Sequence, residues 1–183
     1  MTHSPAKIAA GVAGFALLYI AMYFLSDLFI DNQSVFGLAS LVFLPAFVRL
    51  LGFMILRLWI MPALFIATGL LVASGAYDVA PGYETELIIG AFTAVGGPLG
   101  AYLTSRLIGL EITLNNLTPM RLLWMSVGCS LGNAVFYRLS LELSGIHLYS
   151  TPIGTTIFIG DVVGTWVIIY ILKGALTSLG RRL

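Results

Sequence analysis

The sequence predicts an all-α fold: a polytopic membrane helix bundle of about six spans, forming a single transmembrane domain over residues 1–183. Three observations predict it. Of the residues, 59% are hydrophobic and 9% are charged, whereas a soluble domain carries about 25% charged residues. That deficit leaves too little polar surface to face water. Apolar runs recur at about the 20 residues that a helix needs to cross the hydrocarbon core. The basic and acidic residues also separate into alternate links between those runs.

The first span is expected over about 7–27, opened by Ser4-Pro5. Serine can cap a helix, and proline suits its first position. The apolar run from Ile8 to about Leu25 is long for a cleavable signal and lacks a small-x-small cleavage site after it, so it reads as a retained span. The second span is expected over 35–56, with Pro45 in its middle and Arg49 toward its end. The third runs over 58–76, with Pro62 near its start, and the fourth over 87–107, with Pro98 inside it. Thr118-Pro119 opens the fifth, 119–143, and Thr151-Pro152 opens the sixth, 152–176. Pro45, Pro62 and Pro98 are expected to kink their helices, since each removes a backbone donor.

Charge sets the orientation. With the amino terminus in the cytoplasm, Lys7, Arg49, Arg57, Arg106, Arg121, Lys173, Arg181 and Arg182 fall at cytoplasmic ends, and only Arg138 falls on the other side. Asp27, Asp31, Asp78, Glu84, Glu86 and Glu142 fall outside. Positive charge in short cytoplasmic loops is the expected bias. Both termini are then cytoplasmic. A net charge of +1 offers no electrostatic case for nucleic acid.

Small and polar residues mark the faces where helices meet in lipid. Thr93, Gly97, Gly100 and Thr104 share one face of the fourth span, and Ser126, Ser130, Asn133 and Tyr137 share one of the fifth. Gly154, Asp161 and Thr165 lie on a common face of the sixth. The pairs Gly96–Gly100, Gly128–Gly132 and Gly160–Gly164 predict tight packing of these three helices, with a polar pocket between them as the sharper alternative. Asp161 is the one full charge inside the last span. A carboxylate there costs a few kcal/mol on insertion scales, so it must face other helices or water.

Depth arithmetic places Asp161 roughly 14 Å and Arg49 roughly 21 Å from the outer face at 1.5 Å per residue, with Arg138 near the outer edge. Neither arginine is level with Asp161, so a direct pair, a protonated Asp161 and a hydrated Asp161 all stay open. The polar-core and ligand candidates are therefore Asp161, Asn133, Ser130, Ser126, Thr93, Arg49 and Arg138.

Enzymatic chemistry is not expected. The only histidines are His3 and His147, so no His-based acid–base pair or metal cluster forms. There is no phosphate loop or nucleophile elbow. Cys129 sits in an apolar run and reads as packing. No cofactor and no metal are expected. Tyr19, Tyr23, Trp59, Tyr102, Trp124, Tyr149 and Trp166 read as interface belts or packing.

Leu44-Pro45-Ala46, followed by Arg49, Gly52, Trp59 and Pro62, resembles the proline-centred early segment of membrane-associated sensor domains of the MASE type. Ile89-Gly90 through Pro98-Leu99 to Arg106 resembles that family's middle helix, and Gly160-Asp161-Val-Val-Gly164 resembles its closing segment. The resemblance covers about residues 35–173. It implies a bacterial inner-membrane sensory module, with Pro45, Gly160, Asp161 and Gly164 as family-marking residues. Such domains are usually fused to kinase, cyclase or phosphodiesterase domains and commonly carry more spans than the six expected here. The chain stops at Leu183, so no catalytic output domain is expected and the signal would pass to a separate protein.

Three functions follow as expectations: a stand-alone sensor-like module that transmits or binds through a membrane protein partner, a small-molecule binding or transport subunit of the vitamin-transporter type, and an assembly subunit of a larger membrane complex. The bilayer is the common partner, and a small-molecule ligand is possible under the first two.

Overall fold

The computed structural model describes residues 4–29, 42–77, 82–146 and 153–180. Among them there is helix and no strand. The elements are α1 (Pro5–Phe29), α2 (Pro45–Leu56), a 3-10 turn (Arg57–Trp59), α3 (Ile60–Ala73), α4 (Tyr83–Leu107), α5 (Pro119–Leu143) and α6 (Ile153–Gly180). Asp31, Asp78, His3, His147, Tyr149, Arg181, Arg182 and the Thr151-Pro152 pair lie outside the described residues.

Local chemistry sets the helix starts. The Thr118 hydroxyl accepts from the Arg121 N–H at 3.3 Å, and Pro119 follows where no N–H is needed. The Ser4 carbonyl accepts from Lys7 and Ile8, ahead of Pro5.

The second element differs from expectation. Residues 42–44 are not helical, and α2 starts at Pro45. Pro45 therefore opens a helix instead of kinking one, because its missing N–H costs nothing at the first position. Pro62 likewise sits in the first turn of α3, while α4 stays continuous through Pro98. The chain turns back between α2 and α3. Arg57 takes φ 57°, and a Cβ on Gly52 would run into the Ile60 side chain. Residues eight apart in an unbroken helix are separated by about 12 Å along the axis, so this contact requires the reversal.

Four helical stretches are long and apolar enough to cross a membrane: Pro5–Ser26, Pro45–Ala73, Tyr83–Leu107 and Ile153–Ser178. That set includes no part of α5, which has 25 residues but a face built of Ser126, Ser130, Asn133 and Ser140. The second is broken at Arg57, and α2 alone, with 12 residues, rises about 18 Å.

The helices alternate in direction. Gly11 of α1 faces Leu56 at the end of α2, and the Arg57 guanidinium reaches the α4–α5 link at the Glu111 and Ile112 carbonyls. At the opposite end, the Tyr23 hydroxyl donates to the Ala76 carbonyl and its ring packs on Phe43 and Tyr77. Helices α4 and α5 form the most extensive pair. A Cβ on Gly100 or Gly132 would collide with backbone of the facing helix, and one on Gly96 would lie 2.5 Å from Phe136 Cβ. The Gly96–Gly100 and Gly128–Gly132 pairs thus bring two backbones together, as small residues do in helix association. A central core that includes Tyr19, Phe53, Ile60, Leu64, Ile89, Met125 and Ile157 fills the space among the six helices.

Candidate functional site

The third glycine pair does something else. The Phe43 N–H donates to the Gly160 carbonyl at 3.0 Å, and a Cβ on Gly164 would collide with the Phe43 backbone. Gly160 and Gly164 therefore receive an irregular segment, not a helix. On the other side of that segment, the Ser26 hydroxyl accepts from the Leu44 N–H at 3.2 Å. A hydrophobic patch of Leu44, Phe47 and Ile168 closes the junction.

This docking sets the level of α2. Its start lies beside Gly160, and Arg49 is four residues further on. A helical side chain leans toward the helix N-terminus, so the arginine stem climbs back toward Asp161. Arg49 Nη1 donates to Asp161 Oδ2 at 3.1 Å, with both side chains 3% exposed. The depth arithmetic separated these groups because it counted helix from Val35. Helical rise does not apply to residues 42–44.

The rest of the cluster completes the valences. Asn133 Nδ2 donates to the same Asp161 oxygen at 2.7 Å. Arg49 Nη2 donates to the Tyr19 hydroxyl at 3.0 Å. The guanidinium carbon lies 5.1 Å from the centre of the Phe43 ring and 5.6 Å from that of Tyr19, within cation–π range. On α4, a Cβ on Gly97 would lie 3.1 Å from Arg49 Cδ and 3.5 Å from Cys129 Sγ, so glycine leaves room for the arginine stem. Five helices meet at one guanidinium–carboxylate pair. Because the carboxylate accepts, the Asn133 nitrogen must face it. The amide oxygen Oδ1 is then buried without a hydrogen-bond partner among the described residues.

The other expected residues are placed as follows. Ser126 is buried on α5, where its hydroxyl donates to the Leu123 carbonyl and accepts from Trp166 Nε1 at 3.0 Å. Ser130 is buried on the same face. Thr93 is buried but spends its hydroxyl on the Gly90 carbonyl of its own helix. Arg138 does not join the cluster. It lies at the surface, 65% exposed, and pairs with Glu142 at 3.3 Å. Where a polar pocket among α4, α5 and α6 is the sharper expectation, Arg49 from α2 packs against Asp161 and Asn133, and Tyr19 from α1 joins through Arg49.

Tyr19 and Phe43 were not among the expected polar-core residues. Aromatic residues in apolar runs are common, and nothing in their spacing marks two of them as partners of a distant arginine. Among the described residues, no group of three or more His, Cys, Asp or Glu side chains comes together to hold a metal.

The arrangement can hold or release charge, and it can lock helices together. A buried ion pair is stable only while both members are present and hydrogen-bonded. Losing either member leaves a lone charge at the centre of the bundle. Comparison with protein-family models, curated proteins and solved structures returned no match.

Proposed function

We propose that this protein is a sensor-like module of the bacterial inner membrane that acts through a membrane protein partner. In this reading the Arg49–Asp161 clasp relays the state of α1 and α2 to α6. The observation that carries it is the double attachment of residues 43–49 to adjacent positions of α6: backbone to Gly160 and guanidinium to Asp161. Residues 171–178, at the far end of α6, are exposed. A rigid helix that is clasped at one level and open at another suits transmission.

The MASE-type resemblance supports the same reading. Two of the three segments that carry it, Leu44-Pro45-Ala46 with Arg49 and Gly160-Asp161 with Gly164, are the two halves of the clasp. The alternation of helix direction supports six crossings with both termini cytoplasmic. Lys7, Arg57, Arg106 and Arg121 lie at one end of the bundle, and Glu84, Glu86 and Glu142 belong to the other.

The test is gentle extraction of the tagged protein and of its Asp161→Asn variant from native membranes, with mass spectrometry of what co-purifies. Recovery of a signalling protein whose association or activity depends on Asp161 is the expected result. A stoichiometric complex indifferent to Asp161 would count against it. A second reading, a small-molecule binding subunit, draws support from Asn133 Oδ1, a buried acceptor without a donor among the described residues. Recovery of a tightly held metabolite would favour that reading.

A further inference from the structure

We infer that the end of the bundle formed by residues 57–59 and the 108–118 link is a docking surface for the anionic headgroups of one bilayer leaflet, with Ile112 as its apolar anchor. The inference rests on the membrane reading above and adds a lipid class and a place.

Leu107 and Ile112 are the most exposed large hydrophobic residues described, at 86% and 85%. Their exposure does not come from a loose chain. The Asn116 side chain donates to the Gly109 carbonyl and accepts from the Glu111 N–H, each at 3.0 Å. Arg57 Nη2 donates to the Glu111 and Ile112 carbonyls at 3.2 and 2.7 Å, and Arg121 Nη1 donates to the Asn116 carbonyl at 2.7 Å. Leu114 is held at φ 60°. The link is braced so that Ile112 projects from it.

Charge decides what covers it. Arg57, Arg106 and Arg121 surround the link, and Glu111 is its one acid. Trp59 and Trp124 are exposed beside them. Water disfavours Leu107 and Ile112, and hydrocarbon disfavours the arginines. The headgroup layer accepts both, and Trp with Arg is its usual company. The excess of positive charge selects anionic over zwitterionic lipid, because basic side chains at the surface are attracted by the negative potential of a leaflet with net charge.

The experiment uses the full chain in nanodiscs of phosphatidylcholine, with or without phosphatidylglycerol. Ile112→Cys carries an environment-sensitive dye, and the unsubstituted protein controls for labelling of buried Cys129. With phosphatidylglycerol present, quenching by neutral acrylamide, which the surface potential does not repel, should fall about fivefold and a shallow lipid-borne quencher should take over. Arg106→Gln, which leaves the bracing bonds intact, should remove most of that difference. Equal acrylamide quenching in both lipids overturns the inference. A second label at Leu131→Cys, exposed midway along α5, separates the two failures: if it too is open to acrylamide, the membrane reading falls as well.

Discussion

Arg49 and Asp161 are 112 residues apart in sequence and 3.1 Å apart in the fold. The pair exists because Gly160, the residue next to Asp161, holds the backbone just ahead of α2. One short stretch of α6 thus fixes both the position of a helix start and the charge of the side chain that the helix delivers.

Removing one member of the pair should be worse than removing both. Asp161→Leu or Arg49→Met alone leaves an uncompensated buried charge, a loss of about 3–5 kcal/mol. The double substitution should recover much of it. Unfolding in mixed micelles, run as a double-mutant cycle, measures the coupling. Additive losses would mean that the pair contributes no interaction.

Arg138 provides the contrast. Its partner Glu142 is four residues away on the same exposed helix face, a kind of pair that contributes about 0.3–0.5 kcal/mol. Arg138→Ala should leave the unfolding midpoint and the yield nearly unchanged. A loss comparable to that of Arg49→Met would contradict the surface placement.

The glycines should divide by what faces them. Gly132→Ala forces a methyl group against α4 backbone, which cannot rotate away, and overpacking of that kind costs about 1–3 kcal/mol. Gly14→Ala meets nothing within 4 Å and should be neutral or slightly stabilising, since alanine favours helix over glycine by about 1 kcal/mol. Midpoints of thermal aggregation in detergent would rank them.

Gly164→Ala should act at a distance. Its methyl group displaces the Phe43 backbone and with it the start of α2. The expected result is a variant whose further substitution at Arg49 costs less than in the parent, because the clasp is already open. Equal cost in both backgrounds would show that the glycine and the ion pair act independently.

Asn133→Leu should cost less than Asp161→Leu. It removes a donor to the carboxylate, a loss of about 1–3 kcal/mol, but it also removes a buried acceptor that has no donor. Comparison of the two variants by the same unfolding assay checks the order.

Much of this was legible in the sequence, and the reasons are local. Apolar runs, Thr118-Pro119 and the link compositions predicted helices close to those found; 119–143 is the same in both. The face periodicity that joined Ser126, Ser130, Asn133 and Tyr137 predicted four side chains that are all buried. The paired glycines of α4 and α5 followed from a rule about close approach that needs only spacing.

What the sequence could not decide was where an irregular segment sits between helices. Whether Pro45 kinks a helix or begins one depends on what satisfies the backbone around residues 42–44, and those partners, Ser26 and Gly160, come from α1 and α6. Depth along a chain can be counted only when the rise per residue is known. The break before Pro45 removed that knowledge for Arg49. Length and apolarity therefore determined a membrane-type helical bundle, while the tertiary structure alone decided which arginine meets the buried aspartate, because that choice rests on hydrogen bonds between segments more than a hundred residues apart.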